Sequence, residues 1–389
     1  MTLAAPETSR LKNFGPAPAG RVVDIVRELL PGFAKRADAH DAGDRFVAEN
    51  YAALKDAGLV ETGVPVELGG GGAEIAELCE MLRTMAHGCA STALAFSMHT
   101  HQVAIPAWRW RHQKVAAVEP LLRRVATDRI ILLSSGGSDW IGGSGKAERV
   151  EGGYRVTARK VFTSGAEAGD LLMTGAITEQ DGTRMVIHFG LPMKAETVKI
   201  VDTWRTLGMR GTGSNDVVVD GHFIPDAAVA LSRKAGEWHP LFQVIATTAF
   251  PLIYAVYLGV AQSARDIAIG LAAGKQPNHH LTELAGRMET TLRAAQIAHR
   301  HMVEVVERNN PSAESVNEVM IGRTLVAQNA IQAVEFAMEL AGGAGFYRAN
   351  GLERCFRDIQ GARYHPLQAG PQARYSGSIA LGLPVAEVF

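Results

Sequence analysis

The sequence predicts an α+β protein in which a helical first third and a helical last third flank a compact β domain. Three observations predict it. Apolar residues recur at three- and four-residue spacing through the first third, short strand-like runs broken by hairpin signals fill the middle, and helical periodicity returns after Pro240. Helices and strands are grouped rather than alternating, which argues against a doubly wound sheet.

Residues 1–20 carry Pro6, Pro16 and Pro18 and little periodicity, and read as a loose arm. Residues 21–128 read as a helical domain. Val22, Ile25, Val26, Leu29 and Phe33 mark its first amphipathic helix, with Pro31 near the end, and similar patterns cover 44–57, 73–86, 91–107 and 112–126, with Gly69 to Gly72 as a loop. Residues 129–235 read as the β domain. Runs rich in Val, Ile, Leu or aromatics cover 130–135, 147–150, 154–162, 171–176, 185–191, 198–201 and 216–223, and Gly152-Gly153 and Asp181-Gly182 between them are hairpin signals, with no helices to cross over between parallel strands. Residues 236–389 are helical again, over 251–273, 281–307 and 315–341. Ser315 with Glu318 has the spacing of a capping box, and Gly342-Gly343 ends the last of these helices.

A chain of 389 residues exceeds the size of a single core, so two or three subdomains are expected. Hydrophobic content of 47% with 20% charged residues excludes general disorder. The charge of −1, from 39 basic and 40 acidic residues without long single-sign blocks, leaves no footprint for nucleic acid or an anionic membrane. Cys79, Cys89 and Cys355 suit a reducing compartment better than a disulfide framework. The N-terminus lacks a basic start followed by an apolar core, and no uninterrupted run of about 18 apolar residues occurs, so a cytoplasmic protein that does not span a membrane is expected.

Several motifs are weak alone. Gly208-Met209-Arg210-Gly211-Thr212-Gly213 and Gly342-Gly343-Ala344-Gly345 look like phosphate loops, but neither sits in a βαβ unit or supplies a P-loop lysine, so turns and a helix end are the stronger reading. The closest histidine pairs, His99 with His101, His279 with His280 and His299 with His301, are not at i, i+4 spacing, and no metal site is expected. His99 follows an apolar run and must find a partner there, most simply as a satisfied core histidine. No nucleophile elbow occurs.

An ordered set of strings carries more. Gly69-Gly70-Gly71, Ser134-Ser135-Gly136-Gly137-Ser138-Asp139, Lys160-Val161-Phe162-Thr163-Ser164-Gly165, Leu207 to Ser214 with Phe223-Ile224-Pro225, Gly259-Val260-Ala261-Gln262 and Gly342 to Asp358 follow one another in the order seen in the acyl-CoA dehydrogenase superfamily, which the chain resembles from about Asp44 to its end. The resemblance implies an N-terminal helical domain, a middle β-barrel-like domain and a C-terminal four-helix bundle. It also implies a flavoenzyme, with FAD or alternatively FMN. Ser134, Ser135, Ser138, Thr163 and Ser164 would then lie near the flavin ring, Phe162 against it, and Gly342 and Gly343 in the FAD-holding segment. Homo-oligomerisation as a tetramer or dimer is implied in the same way.

Three departures refine this reading. Pro366 stands where many members carry the catalytic glutamate, and the alternative base position falls near Ala249. The family's Arg-x-x-Phe-Gly segment should fall around residues 269–274, where no Arg or Phe occurs. Arg357-Asp358-Ile359 followed by His365 resembles instead the flavin-dependent monooxygenase branch, typified by dibenzothiophene monooxygenase and the p-hydroxyphenylacetate hydroxylase oxygenase. In that branch His365 would orient or deprotonate the substrate, with His99 as a second candidate. Oxygenation of a small organic molecule by flavin from a reductase is therefore expected. The alternatives are dehydrogenation of an acyl thioester with a separate electron acceptor, and a non-catalytic flavin-binding accessory.

Overall fold

The computed structural model describes residues 20–276 and 278–385, with the side chains of Ser138 and Trp140 left out; the arm expected over 1–20 lies outside the described residues except for Gly20. Helices α1 (Val22–Ala42), α2 (Ala48–Asp56), α3 (Ile75–Gly88), α4 (Ala90–Gln113) and α5 (Glu119–Asp128) come first. The predicted stripe of α1 is its buried face. The break expected after residue 107 falls after Gln113, where Lys114 turns left-handed, and α5 opens only at Glu119 with a proline in its first turn.

Strands β1 (Leu132–Ser134), β2 (Lys146–Val150), β3 (Gly153–Thr163), β4 (Leu171–Gln180), β5 (Thr183–Pro192), β6 (Val198–Val201), β7 (Asn215–Pro225) and β8 (Leu231–Lys234) form one sheet in the order β6-β7-β3-β2-β4-β5-β8, with β1 beside β4. Asp181 and Gly182 both take positive φ, as a type I′ hairpin between β4 and β5 demands. Two features were not expected: β8, and the parallel pairing of β4 with β1 and with the start of β2. A short helix α6 (Gly137–Ile141) follows β1. The sheet ends at β6 and β8, so the barrel-like domain retains two edges.

Helices α7 (Leu241–Ala272), α8 (His279–Glu307) and α9 (Ala313–Ala341) pack as the C-terminal bundle with α10 (Leu352–Ile359) and α11 (Ala369–Ala380). α7 begins ten residues before Pro251, which it carries inside. It is the one described helix long and apolar enough to cross a membrane, and it is buried in the core, with α3, α4, α8 and α9 against it. The glycine of Gly259-Val260-Ala261-Gln262 has a packing reason, since a Cβ there would lie 2.3 Å from the Arg83 carbonyl oxygen on α3. The expected capping box shifts by three residues: Ser312 and Ser315 cap α9 reciprocally, while Glu318 pairs with Arg308 and His301. Gly342, at φ +62°, ends α9, and Lys275 donates to the carbonyls of Leu340 and Ala341. The three cysteines are free and buried.

The Gly208 to Gly213 string is a junction rather than a phosphate loop. Its Met209 N–H donates to the Asp358 carboxylate at 2.5 Å, and a Cβ at Gly208 would overlap the Arg357 carbonyl at 2.3 Å. Burial pushes the Asp358 carboxyl up to about 6. Arg357 pairs with Asp41 on α1 and Glu353 on α10, both at 2.7 Å. One dipeptide thus ties together the first helix, the sheet loop and the C-terminal segment.

Candidate active site

Where the sheet, α4, α7 and residues 357–371 meet, they enclose a cavity of about 680 Å³. That volume lies within the range of small-molecule sites. Its sheet-side wall carries the serines of the β1–α6 turn and the end of β3. Ser134, Ser135 and Ser164 line it, together with Ser214, whose hydroxyl is 2.8 Å from that of Ser164. A register shift between Lys160 and Thr163 bulges β3, so that Val161 and Phe162 both face the cavity. Phe162 packs on Trp204 with ring centroids 4.9 Å apart and remains 39% exposed, leaving an aromatic surface for a flat partner. Thr163, expected beside these residues, is instead fully buried and is absent from the cavity wall. Ser138 falls in α6, but its side chain lies outside the described residues.

Glycines let the walls meet. A Cβ on Gly137 would lie 2.2 Å from Pro366 Cγ, and one on Gly136 would lie 2.9 Å from the Val161 carbonyl oxygen. Pro366 and Ala249, the two positions the resemblance singled out, both line this cavity. No aspartate or glutamate lines it among the described residues.

The inner chamber is apolar. Phe242, Ala246, Ala249, Ile253 and Tyr257, at helical spacing on α7, face Leu94 and Met98 of α4. Two imidazoles open into it, His101 from α4 and His365 from the C-terminal segment. His101 Nδ1 donates to the Ser97 carbonyl at 2.9 Å, and Nε2 accepts from the Gln102 side-chain amide at 3.3 Å. Burial lowers its pKa to about 4. Burial also lowers His365 to about 4, reinforced by the Arg323 guanidinium and by His101. Neither ring nitrogen of His365 has a hydrogen-bond partner among the described residues, and its ring lies 5.5 Å from that of Tyr257. Arg323, 2% exposed, holds this segment by donating to the carbonyls of Ala362 and His365. The Tyr257 hydroxyl is buried without a partner among the described residues.

Besides Thr163, three expected site residues lie off the cavity wall. His99 is 1% exposed and does not line it; Nε2 donates to the Val60 carbonyl at 2.8 Å and Nδ1 accepts from the Leu132 N–H at 3.0 Å. One nitrogen joins α4 to the loop after α2 and the other joins it to β1, so His99 has none left for chemistry. Gly342 and Gly343 lie exposed at the end of α9, off the cavity wall. The residue that sequence reasoning passed over is His101, paired with His99 in the sequence but not separated from it by face. On a helix, two residues apart means about 200° of rotation, which was the available signal.

Behind the serine wall lies a buried ion pair. Lys160, 1% exposed, sits 2.9 Å from Asp139, 7% exposed, and also donates to Ser144 and to the Gly175 carbonyl. Asp139 Oδ2 is 3.0 Å from the Thr174 hydroxyl, which in turn is 3.0 Å from Ser135 Oγ. Burial lowers the Lys160 pKa, and contact with Asp139 opposes that shift.

Comparison with known proteins agrees with this arrangement. Residues 21–123 match the acyl-CoA dehydrogenase N-terminal domain and 252–368 the acyl-CoA dehydrogenase C-terminal domain. The chain is 26% identical to the pigment production hydroxylase of a Rhodococcus species, over 94% of this chain and 97% of that one. It is 27% identical to the putative acyl-CoA dehydrogenase YdbM of Bacillus subtilis, over 88% and 92% respectively. A crystal structure of KijD3 in complex with FMN and dTDP-3-amino-2,3,6-trideoxy-4-keto-3-methyl-D-glucose superimposes with a TM-score of 0.84 at 25% identity, covering 95% of this chain and 96% of that one.

Proposed function

The chain belongs to the acyl-CoA dehydrogenase superfamily, and on that premise we propose that it is a flavin-dependent oxygenase of a small, uncharged organic substrate. The observation that carries the reading is a cavity with two neutral imidazoles and no carboxylate at either position a family base would occupy.

The residues fit a flavin. The exposed Phe162 and Trp204 surface suits a flat ring, the hydroxyls of Ser134, Ser135 and Ser164 suit its polar edge, and Gly136 and Gly137 hold the turn between Val161 and Pro366. FMN is favoured over FAD: the segment around 269–274 lacks Arg and Phe, and KijD3 was solved with FMN. Bound in reduced form, it would supply the activation of oxygen.

The chain's own contribution is placement, dryness and a proton acceptor. α4 and α7 exclude water with apolar side chains. His365, neutral and unpartnered among the described residues, can take a proton from a substrate hydroxyl or amine, whereas His101 Nε2 becomes an acceptor for substrate only when the Gln102 amide turns away. Arg357 is the cavity's one described Lys or Arg and already pairs with Asp41 and Glu353, so the apolar inner chamber offers little to a charged substrate. A reductase supplying the reduced flavin, and self-association of the bundle, complete the proposal.

The test is a pair of assays on the purified protein. Oxygen consumption and a hydroxylated product are expected with FMN, NADH, a flavin reductase and a neutral aromatic substrate. Reduction of bound flavin by an acyl-CoA alone, with electrons passed to a dye, would reject the oxygenase reading in favour of dehydrogenation.

A further inference from the structure

We propose that Asp139 acts through Thr174 to fix the direction of the Ser135 hydroxyl, so that Ser135 presents a lone pair to the cavity and favours a ligand that donates a hydrogen there. This deepens the flavin reading and rests on it.

Thr174 has one hydroxyl hydrogen and two neighbours at 3.0 Å, the Asp139 carboxylate and Ser135 Oγ. Asp139 forms an ion pair with the Lys160 ammonium at 2.9 Å, so its carboxylate offers Thr174 lone pairs and no hydrogen. A hydrogen bond to an ionised acceptor is roughly twice as strong as one between neutral groups, so the Thr174 hydrogen goes to Asp139. Thr174 then offers Ser135 only a lone pair, and the Ser135 hydrogen is drawn to it. Serine has one hydrogen and two lone pairs. With the hydrogen committed beneath the wall, lone pairs are what remain for an occupant of the cavity.

Ser135 lines that cavity and is 5% exposed. The flavin ring nitrogen N5 accepts a hydrogen bond when oxidised and donates one when reduced. With N5 against Ser135, which is part of this proposal, a fixed acceptor would discriminate between the two redox forms and favour the reduced one. Asp139 and Thr174 are positioning residues in this scheme; they act through Ser135, and neither is among the cavity-lining residues.

The experiment measures dissociation constants of oxidised FMN and of anaerobically reduced FMN, and takes their ratio. The whole protein should bind the reduced form more tightly. Thr174→Val, which removes the acceptor beneath Ser135 and frees its hydrogen, should lower that preference about five- to tenfold, roughly the worth of one hydrogen bond. Thr174→Ser, which keeps the hydroxyl, should preserve it. A double variant, Asp139→Leu with Lys160→Met, replaces the buried pair by apolar side chains, a change proteins often tolerate. It should lower the preference as Thr174→Val does, because the Thr174 hydrogen then turns to Ser135. A ratio that stays within twofold in Thr174→Val, with both flavins still bound, overturns the proposal. Failure of the unsubstituted protein to bind FMN in either form would sink the flavin reading itself, and this inference with it.

Discussion

Replacing His99 by glutamine tests whether this imidazole is a structural neutral group. In the folded protein burial lowers its pKa to about 4, against an ordinary value of 6.5. The unfolded chain protonates this group from about pH 6.5 downward, while the folded state resists until about pH 4. Unfolding therefore takes up a proton between these values, and stability falls as the pH is lowered through that window. At pH 5 the unfolded group is mostly protonated and the folded group mostly neutral, so the loss relative to neutral pH is about 2 kcal/mol from His99 alone. Glutamine does not titrate, but it can still accept from Leu132 and donate to Val60. His99→Gln should cost about 1 to 2 kcal/mol at pH 7.5 through imperfect geometry. Its further loss on going to pH 5 should be smaller than the unsubstituted protein's by about 2 kcal/mol. Asp358, with its carboxyl raised to about 6, gains stability as the pH falls, but both proteins share it and it cancels in the comparison. Urea unfolding followed by far-UV circular dichroism at the two pH values reads the difference directly. Equal acid losses in the two proteins would refute the reasoning and return His99 to the site candidates.

His365→Ala and His101→Ala should each lower turnover by about 10²- to 10⁴-fold if the imidazole moves a proton, with the thermal unfolding midpoint little changed. Unchanged turnover would remove that residue from the site. Because both are pushed down to about 4, the acid limb of turnover should lie near pH 4, well below 6.5, and should be read over the range in which the protein stays folded. Gly137→Ala places a methyl 2.2 Å from Pro366 Cγ and should cost about 1 to 3 kcal/mol while weakening FMN binding, measured by fluorescence titration. Lys160→Met alone strands a buried carboxylate and should cost about 3 to 5 kcal/mol, whereas the paired replacement with Asp139→Leu should recover most of it in the same unfolding assay.

Much of this molecule was readable from its residues. The grouping of helices and strands, the hairpin at Asp181-Gly182 and the helix end at Gly342 are local matters, set by apolar period and by φ that only certain residues adopt readily. Local errors had local causes. Pro251 looked like a helix start but sits inside α7, where tertiary burial outweighs the lost hydrogen bond, and Ser315 proved to be the third residue of a box opened by Ser312.

What the chain order could not decide is which side chains share a wall. His99 and His101 differ by two residues on one helix, and only the packing of β1 against α4 determines that the first is consumed by backbone and the second opens into the cavity. Arg323 on α9 holds the segment bearing His365, and Asp139, Thr174 and Ser135 meet from separate elements. Composition and period determine which elements form, because they depend on near neighbours. The site depends on contacts between residues dozens of positions apart, which the docking of sheet, α4 and α7 creates.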